Sequence, residues 1–156
     1  DYHFARQYDR AVEQFHRTLE MDPNYLPANL LLGWTYLATA DYEEAIQTLQ
    51  KAVSLSGGAP HFIGYLGAAY AMAGQIDKAQ QMLNELRKLS NSRYVSPYYS
   101  ALIYYGLNDL DRAFELLENA HDAHEPFLAF FRVEPVFDGL RQDPRYDALV
   151  NKIGLD

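Results

Sequence analysis

His121 and His124 are the residues whose types and spacing come nearest to metal chemistry, with Asp122 and Glu125 beside them. A spacing of three places both imidazoles on one face of a helix. Two such ligands fall short of the three or four that zinc takes. Histidines in the last turn of a helix also interact favourably with its dipole and need no ion. The pair therefore predicts a helix end, and no metal or other cofactor is expected. His3, His16 and His61 are isolated.

Other catalytic constellations are missing from the chain. With no cysteine, disulfides, thiolate metal sites and cysteine nucleophiles are excluded. There is no glycine-rich phosphate loop and no serine nucleophile elbow. Carboxylates such as Glu43, Glu44, Asp77, Asp111 and Glu115 fit solvated outer faces of helices better than paired acid–base work. Arg132, Arg141, Arg145 and Lys152 concentrate near the C-terminus, where Asp138, Asp143 and Asp147 offer partners; they could also dock a neighbouring domain. The chain is expected not to be an enzyme.

Composition narrows the partners. The 156 residues carry a net charge of -8 and are 49% hydrophobic and 22% charged, an ordinary globular mix for one domain. An acidic chain lacks the basic face that a nucleic-acid binder needs, and the same sign disfavours an anionic membrane surface. No apolar run approaches the ~20 residues of a membrane span, and Asp1-Tyr2-His3-Phe4 is not the start of a signal peptide. Without an initiator Met the chain is expected to be part of a longer protein. A cytoplasmic location is the expectation.

The elements that position these residues recur. Ala11, Ala45, Ala79 and Ala113 are each separated by 34 residues. Four residues after each stands a large apolar side chain: Phe15, Leu49, Leu83 and Leu117. Nine before each stands an aromatic: Tyr2, Tyr36, Tyr70 and Tyr104. Leu32-Gly33 and Leu66-Gly67 occupy a further column, with Ser100-Ala101 in the last copy. A small residue lets the two helices of a hairpin approach, and the large one a turn later fills the space beside it.

These columns at this period resemble the tetratricopeptide repeat family. The resemblance implies an all-α solenoid, a right-handed superhelix of antiparallel helix pairs. Residues 1–25 are then a partial repeat, with the end of a first helix in residues 1–7. Residues 26–59, 60–93 and 94–123 are full repeats, and residues 124–156 are a C-terminal cap. Ser96-Pro97 opens the last repeat as a capping residue followed by proline. Asp143-Pro144 starts a final helix whose apolar face is Tyr146, Leu149, Val150 and Ile153, stopped by Gly154. Between them, Phe127 to Phe131 forms an apolar patch and Val136 to Leu140 a short turn of helix.

Residues 94–156 are similar to the C-terminal end of repeat regions in bacterial multi-domain regulators, where a winged-helix, Ser/Thr kinase or nucleotide cyclase domain precedes the repeats. The motifs that carry this are Tyr94 to Tyr98, Asp111 to Glu115, and Glu134 to Tyr146. Asn108 departs from it, standing where a glycine often opens the hairpin turn.

In such a solenoid the first helix of each pair lines a concave groove. The inward positions are expected to be Leu30, Trp34 and Leu37; then Gly64, Ala68 and Ala71 with Met72 at the rim; then Tyr98, Leu102 and Tyr105. That surface suits a partner peptide or amphipathic helix, with the small residues of the middle repeat leaving room for it. The alternative is that the aromatics pack between repeats or under a preceding domain. None of these side chains would donate to a peptide C-terminal carboxylate. A second possibility for the whole array is self-association into a homodimer that holds attached domains together.

Overall fold

The computed structural model describes residues 7–154. Within them the chain forms helices α1 (Tyr8–Met21), α2 (Leu26–Ala38), α3 (Tyr42–Leu55), α4 (Pro60–Met72), α5 (Ile76–Ser90), α6 (Pro97–Gly106) and α7 (Leu110–Asp122). Two 3-10 turns, Pro126–Phe130 and Pro135–Leu140, lead to α8 (Pro144–Ile153). No strand occurs among the described residues. The helix expected over residues 1–7, with Tyr2, lies outside them except for Gln7.

Consecutive helices pack as antiparallel pairs, α2 on α3, α4 on α5 and α6 on α7. The first helices also touch one another, α2 to α4 and α4 to α6, so they form the inner row of a solenoid. The small-residue columns set the spacing. Ala11, Ala45, Ala79 and Ala113 are fully buried. A Cβ on Gly33 would fall 2.7 Å from the Leu49 side chain, and one on Gly67 would strike Ile103 and Met82.

The hairpin turns repeat atom for atom. Ala40, Gly74 and Asn108, each 34 residues apart, hold φ of 62°, 77° and 59°. The following amides of Asp41, Gln75 and Asp109 reach back to the carbonyls of Tyr36, Tyr70 and Tyr104 at 2.9, 2.8 and 2.9 Å. This is the left-handed helix stop that satisfies orphan carbonyls. Asn108 is thus the glycine position filled by the other residue that tolerates a positive φ. The same stop ends α7, with His124 at φ 58° and the Glu125 amide bonded to the Ala120 carbonyl at 3.1 Å.

The tyrosine column bonds backwards across the array. The Tyr36 hydroxyl lies 2.9 Å from His16 Nε2, and Gln50 Nε2 donates to the Tyr70 hydroxyl at 2.7 Å. Both partners stand 20 residues earlier. Lys78 and Arg112 each lie 5.3 Å over the rings of Tyr70 and Tyr104. Such contacts are worth ~0.5–1 kcal/mol at exposed sites.

Local capping explains the later boundaries. The Tyr98 amide donates to Ser96 Oγ, the Arg112 amide to Asp109 and the Arg145 amide to Asp143. Gly154, at φ 80°, ends α8. Helix α8 lies against α7, joined by Arg145–Asp111 at 2.7 Å and by Lys152 to Glu118 and Asp122 at 3.5 and 3.6 Å. No described helix is long and apolar enough to cross a membrane.

Candidate functional site

The inner row is apolar on all sides. Helices α2, α4 and α6 contain no Asp, Glu, Lys or Arg, whereas α1, α3, α5 and α7 carry charges on one face. A helix without a polar face must be covered on both sides. The outer helices cover one side. On the other side the 3-10 turns lie against α2 and α6: Pro135–Leu140 contacts α2, and Phe127 and Phe137 contact the aromatic residues of α6.

A line of rings records how the tail is seated. Trp34 lies 4.9 Å from Tyr65 by ring centroids, and the Tyr65 and Tyr98 hydroxyls are 3.4 Å apart. Tyr98 stacks on Phe127 at 5.9 Å and meets Phe137 edge-on at 5.9 Å. Phe137 also contacts Tyr105 at 5.6 Å and Phe131 at 5.0 Å, and Phe131 contacts Tyr146 at 5.2 Å. Aromatic pairs of this kind add ~0.5–1.5 kcal/mol each beyond simple burial.

Glu134 is the polar member of this surface, at 1% exposure. Its Oε1 accepts from the Val136 amide at 3.3 Å, which starts the second turn. Burial raises the pKa of both the Tyr65 and Tyr98 hydroxyls, and the nearby Glu134 charge adds to the rise. Tyr105 rises too, chiefly by burial, while the Gly139 backbone amide directed at its hydroxyl works the other way. No Cβ fits at Gly139 without meeting that hydroxyl.

The structure therefore alters the picture of an open groove. Trp34, Leu37, Ala68, Tyr98 and Leu102 are 0–5% exposed, and only Leu30, Met72 and Tyr105 are half-buried. Those eight do lie together in one apolar cluster. The expected floor of Gly64, Ala68 and Ala71 is not open either. Gly64 faces Tyr99, and Gly106 sits on Ala71 and the Ala68 carbonyl. The small residues bring α4 and α6 together and leave no room above them, because a missing Cβ lets backbones approach.

Sequence reasoning did not bring Glu134, Phe137, Tyr65 and Gly139 to this face. The usable signal was the absence of charge from three consecutive first helices. His121 and His124 do not converge with further ligands: no group of three or more metal-binding side chains occurs among the described residues. His124 serves as the stop of α7, its ring 3.3 Å from the His121 carbonyl.

A row of paired helices with an apolar inner face defines a helical repeat scaffold of the kind that binds proteins. The tetratricopeptide repeat family model matches residues 5–55 and 40–103, and the chain belongs to that family, whose members are protein-interaction scaffolds. It is similar to the formate-dependent nitrite reductase complex bifunctional subunit NrfFG of Haemophilus influenzae, 32% identical over 80 residues. That match covers 49% of this chain and 21% of the relative. Lipopolysaccharide assembly protein B of Escherichia coli K12 is 29% identical over 118 residues, 73% of this chain and 30% of its own length. The BBSome complex member BBS4 of Bos taurus is 28% identical over 93 residues, 60% and 18% respectively. The chain thus spans less than a third of these relatives. No solved structure matches it.

Proposed function

We propose that this chain is a non-enzymatic protein-interaction module whose partner surface is the inner face. Leu30, Trp34, Leu37, Ala68, Met72, Tyr98, Leu102 and Tyr105 are the residues assigned to it, and a peptide or amphipathic helix is the partner. The observation that supports this reading is that the face already holds a peptide segment, the chain's own tail, through aromatic contacts. The names of two relatives, a reductase complex subunit and a BBSome complex member, belong to proteins that work inside assemblies. In this reading α8 is the end cap of the array, residues 26–59, 60–93 and 94–123 are its repeats, and the parent is a cytoplasmic bacterial regulator.

The test uses the half-buried members, because Trp34 and Tyr98 are core residues whose truncation would mix a stability loss with any loss of binding. Peptides selected by display on the wild-type chain are titrated against a Leu30→Ala, Met72→Ala, Tyr105→Ala variant that keeps its helical spectrum. Binding is expected to weaken at least about tenfold, equivalent to ~1.4 kcal/mol. Unchanged affinity would show that the partner binds elsewhere.

Self-association is the second reading, favoured by Met21 at 90% and Tyr25 at 46% exposure, which share one apolar surface patch at the α1–α2 turn. Sedimentation of the wild type and of a Met21→Asp, Tyr25→Asp variant decides it: a dimer that the variant abolishes supports this reading.

A further inference from the structure

The tail holds the inner face in a manner that a simple end cap does not need. Covering an apolar row requires only apolar side chains, and Phe127, Phe131, Phe137 and Leu140 supply them. Yet the second turn also buries Glu134, at 1% exposure, among tyrosines. Burying a carboxylate is unfavourable unless polar groups receive it, and the paired hydroxyls of Tyr65 and Tyr98, 3.4 Å apart, are polar groups placed on that face by the repeats. The face is therefore built with a polar spot inside an aromatic strip.

We propose that residues 126–140 are a displaceable internal occupant of the inner face, and that the external segment this face accepts carries the same chemistry. That chemistry is an acidic residue heading a proline-started turn, with an aromatic three residues later, as Glu134, Pro135 and Phe137 stand here. The proposal rests on the inner face being the partner surface and specifies what the partner looks like. An acidic head occupies the buried position that Glu134 holds at the start of the second turn. The aromatic takes the space between Tyr98 and Tyr105 that Phe137 fills.

Beside its buried apolar side chains, the tail is tied to the array by surface ion pairs that are individually weak. Helix α8 is tied to α7 through Arg145 with Asp111, and Lys152 with Glu118 and Asp122. The acidic side chains of these pairs are 58–91% exposed, and exposed pairs of this kind are weak and screened by salt.

The probe is a labelled synthetic peptide of residues 125–142, titrated by fluorescence anisotropy against the full chain. Two variants loosen the tail while leaving the residues of the repeats unchanged. Gly139→Val puts a side chain against the Tyr105 hydroxyl from an exposed tail position. Arg145→Glu reverses the surface pairing of α8. Both variants are expected to bind the peptide at least about tenfold more tightly than the wild type. Peptides carrying Glu134→Lys or Phe137→Ala are expected to lose that binding. Equal affinity of wild type and both variants would overturn the proposal, and so would binding that ignores the two peptide substitutions. If displayed peptides map to the inner face while the tail peptide never competes with them, only this inference fails. If the tail peptide binds the loosened variants and no other peptide uses that face, the proposed function fails and the tail contact is internal packing.

Discussion

The repeats and the tail of this chain are held by different kinds of contact. In the repeats the turn bonds, small-residue contacts and tyrosine contacts return after 34 residues. The turn bonds from Asp41, Gln75 and Asp109, the buried alanines and the tyrosine–cation contacts are the same event in successive copies. The tail has no such recurrence. Its second turn touches α2, about a hundred residues earlier in the chain, as well as α6. Repeat stability is close to a sum of neighbouring interfaces, whereas the tail depends on α2 and α6, from different repeats, being in place. The repeats are therefore the part that folds from local information, and the tail is the part that reports whether the inner face is complete.

Phe137→Ala separates the two regions most strongly. Phe137 is 1% exposed and contacts three rings directly, so its truncation is expected to cost about 3–5 kcal/mol. Amide exchange should place that loss in residues 126–153 while α3 to α5 keep their protection. Equal loss of protection in α4 would show that tail and repeats form one cooperative unit and would break the distinction.

Ala79→Leu acts on the opposite side of the comparison. Ala79 is fully buried between helices of the middle repeat, and a leucine there should overpack the contact by about 1–3 kcal/mol. Chemical denaturation should show the whole array destabilised, repeats and tail together. A smaller effect follows from the turns. Ala40 holds a φ of 62° where the next repeat has Gly74, and a left-handed alanine is unfavourable by about 1–2 kcal/mol. Ala40→Gly is expected to raise stability by about 1 kcal/mol at most, while Gly74→Ala lowers it by a similar amount. Melting curves of the pair check both signs.

Acid is expected to produce the smallest change, confined to the tail. The Asp143 carboxyl is pulled down to about 2 from its ordinary 3.8 by the Arg145 side chain first and its backbone amide second. A carboxyl depressed in the folded state contributes stability above its ordinary value, and that contribution is lost as the pH falls through the folded value. Helix α8 should accordingly loosen between about pH 4 and pH 2, read by amide exchange in Pro144–Ile153. Asp143→Asn should remove that pH dependence, and both effects stay small because the Arg145 partner is solvent-exposed.

Much of the array was legible in the residues. The alanine and tyrosine columns named the repeat, Ser96-Pro97 and Asp143-Pro144 named two helix starts, and Gly154 a helix stop. The eight inward residues share one apolar cluster. Their accessibility was not legible, because exposure depends on what lies opposite. Gly64, Ala68 and Ala71 looked like open floor, yet Tyr99 and Gly106 close against them. A small residue in a sequence is equally compatible with a vacancy and with a close approach, and only the neighbouring helix decides between them.

By itself the sequence determined the period, the hairpins, their turns and an uncharged inner row, since each depends on residues within one repeat length of one another. The tertiary structure alone decided what covers that row. Phe137 meets Tyr98 and Tyr105, and the turn carrying it reaches α2, only because three repeats curve round to bring distant segments together. No periodic pattern encodes a contact that occurs once.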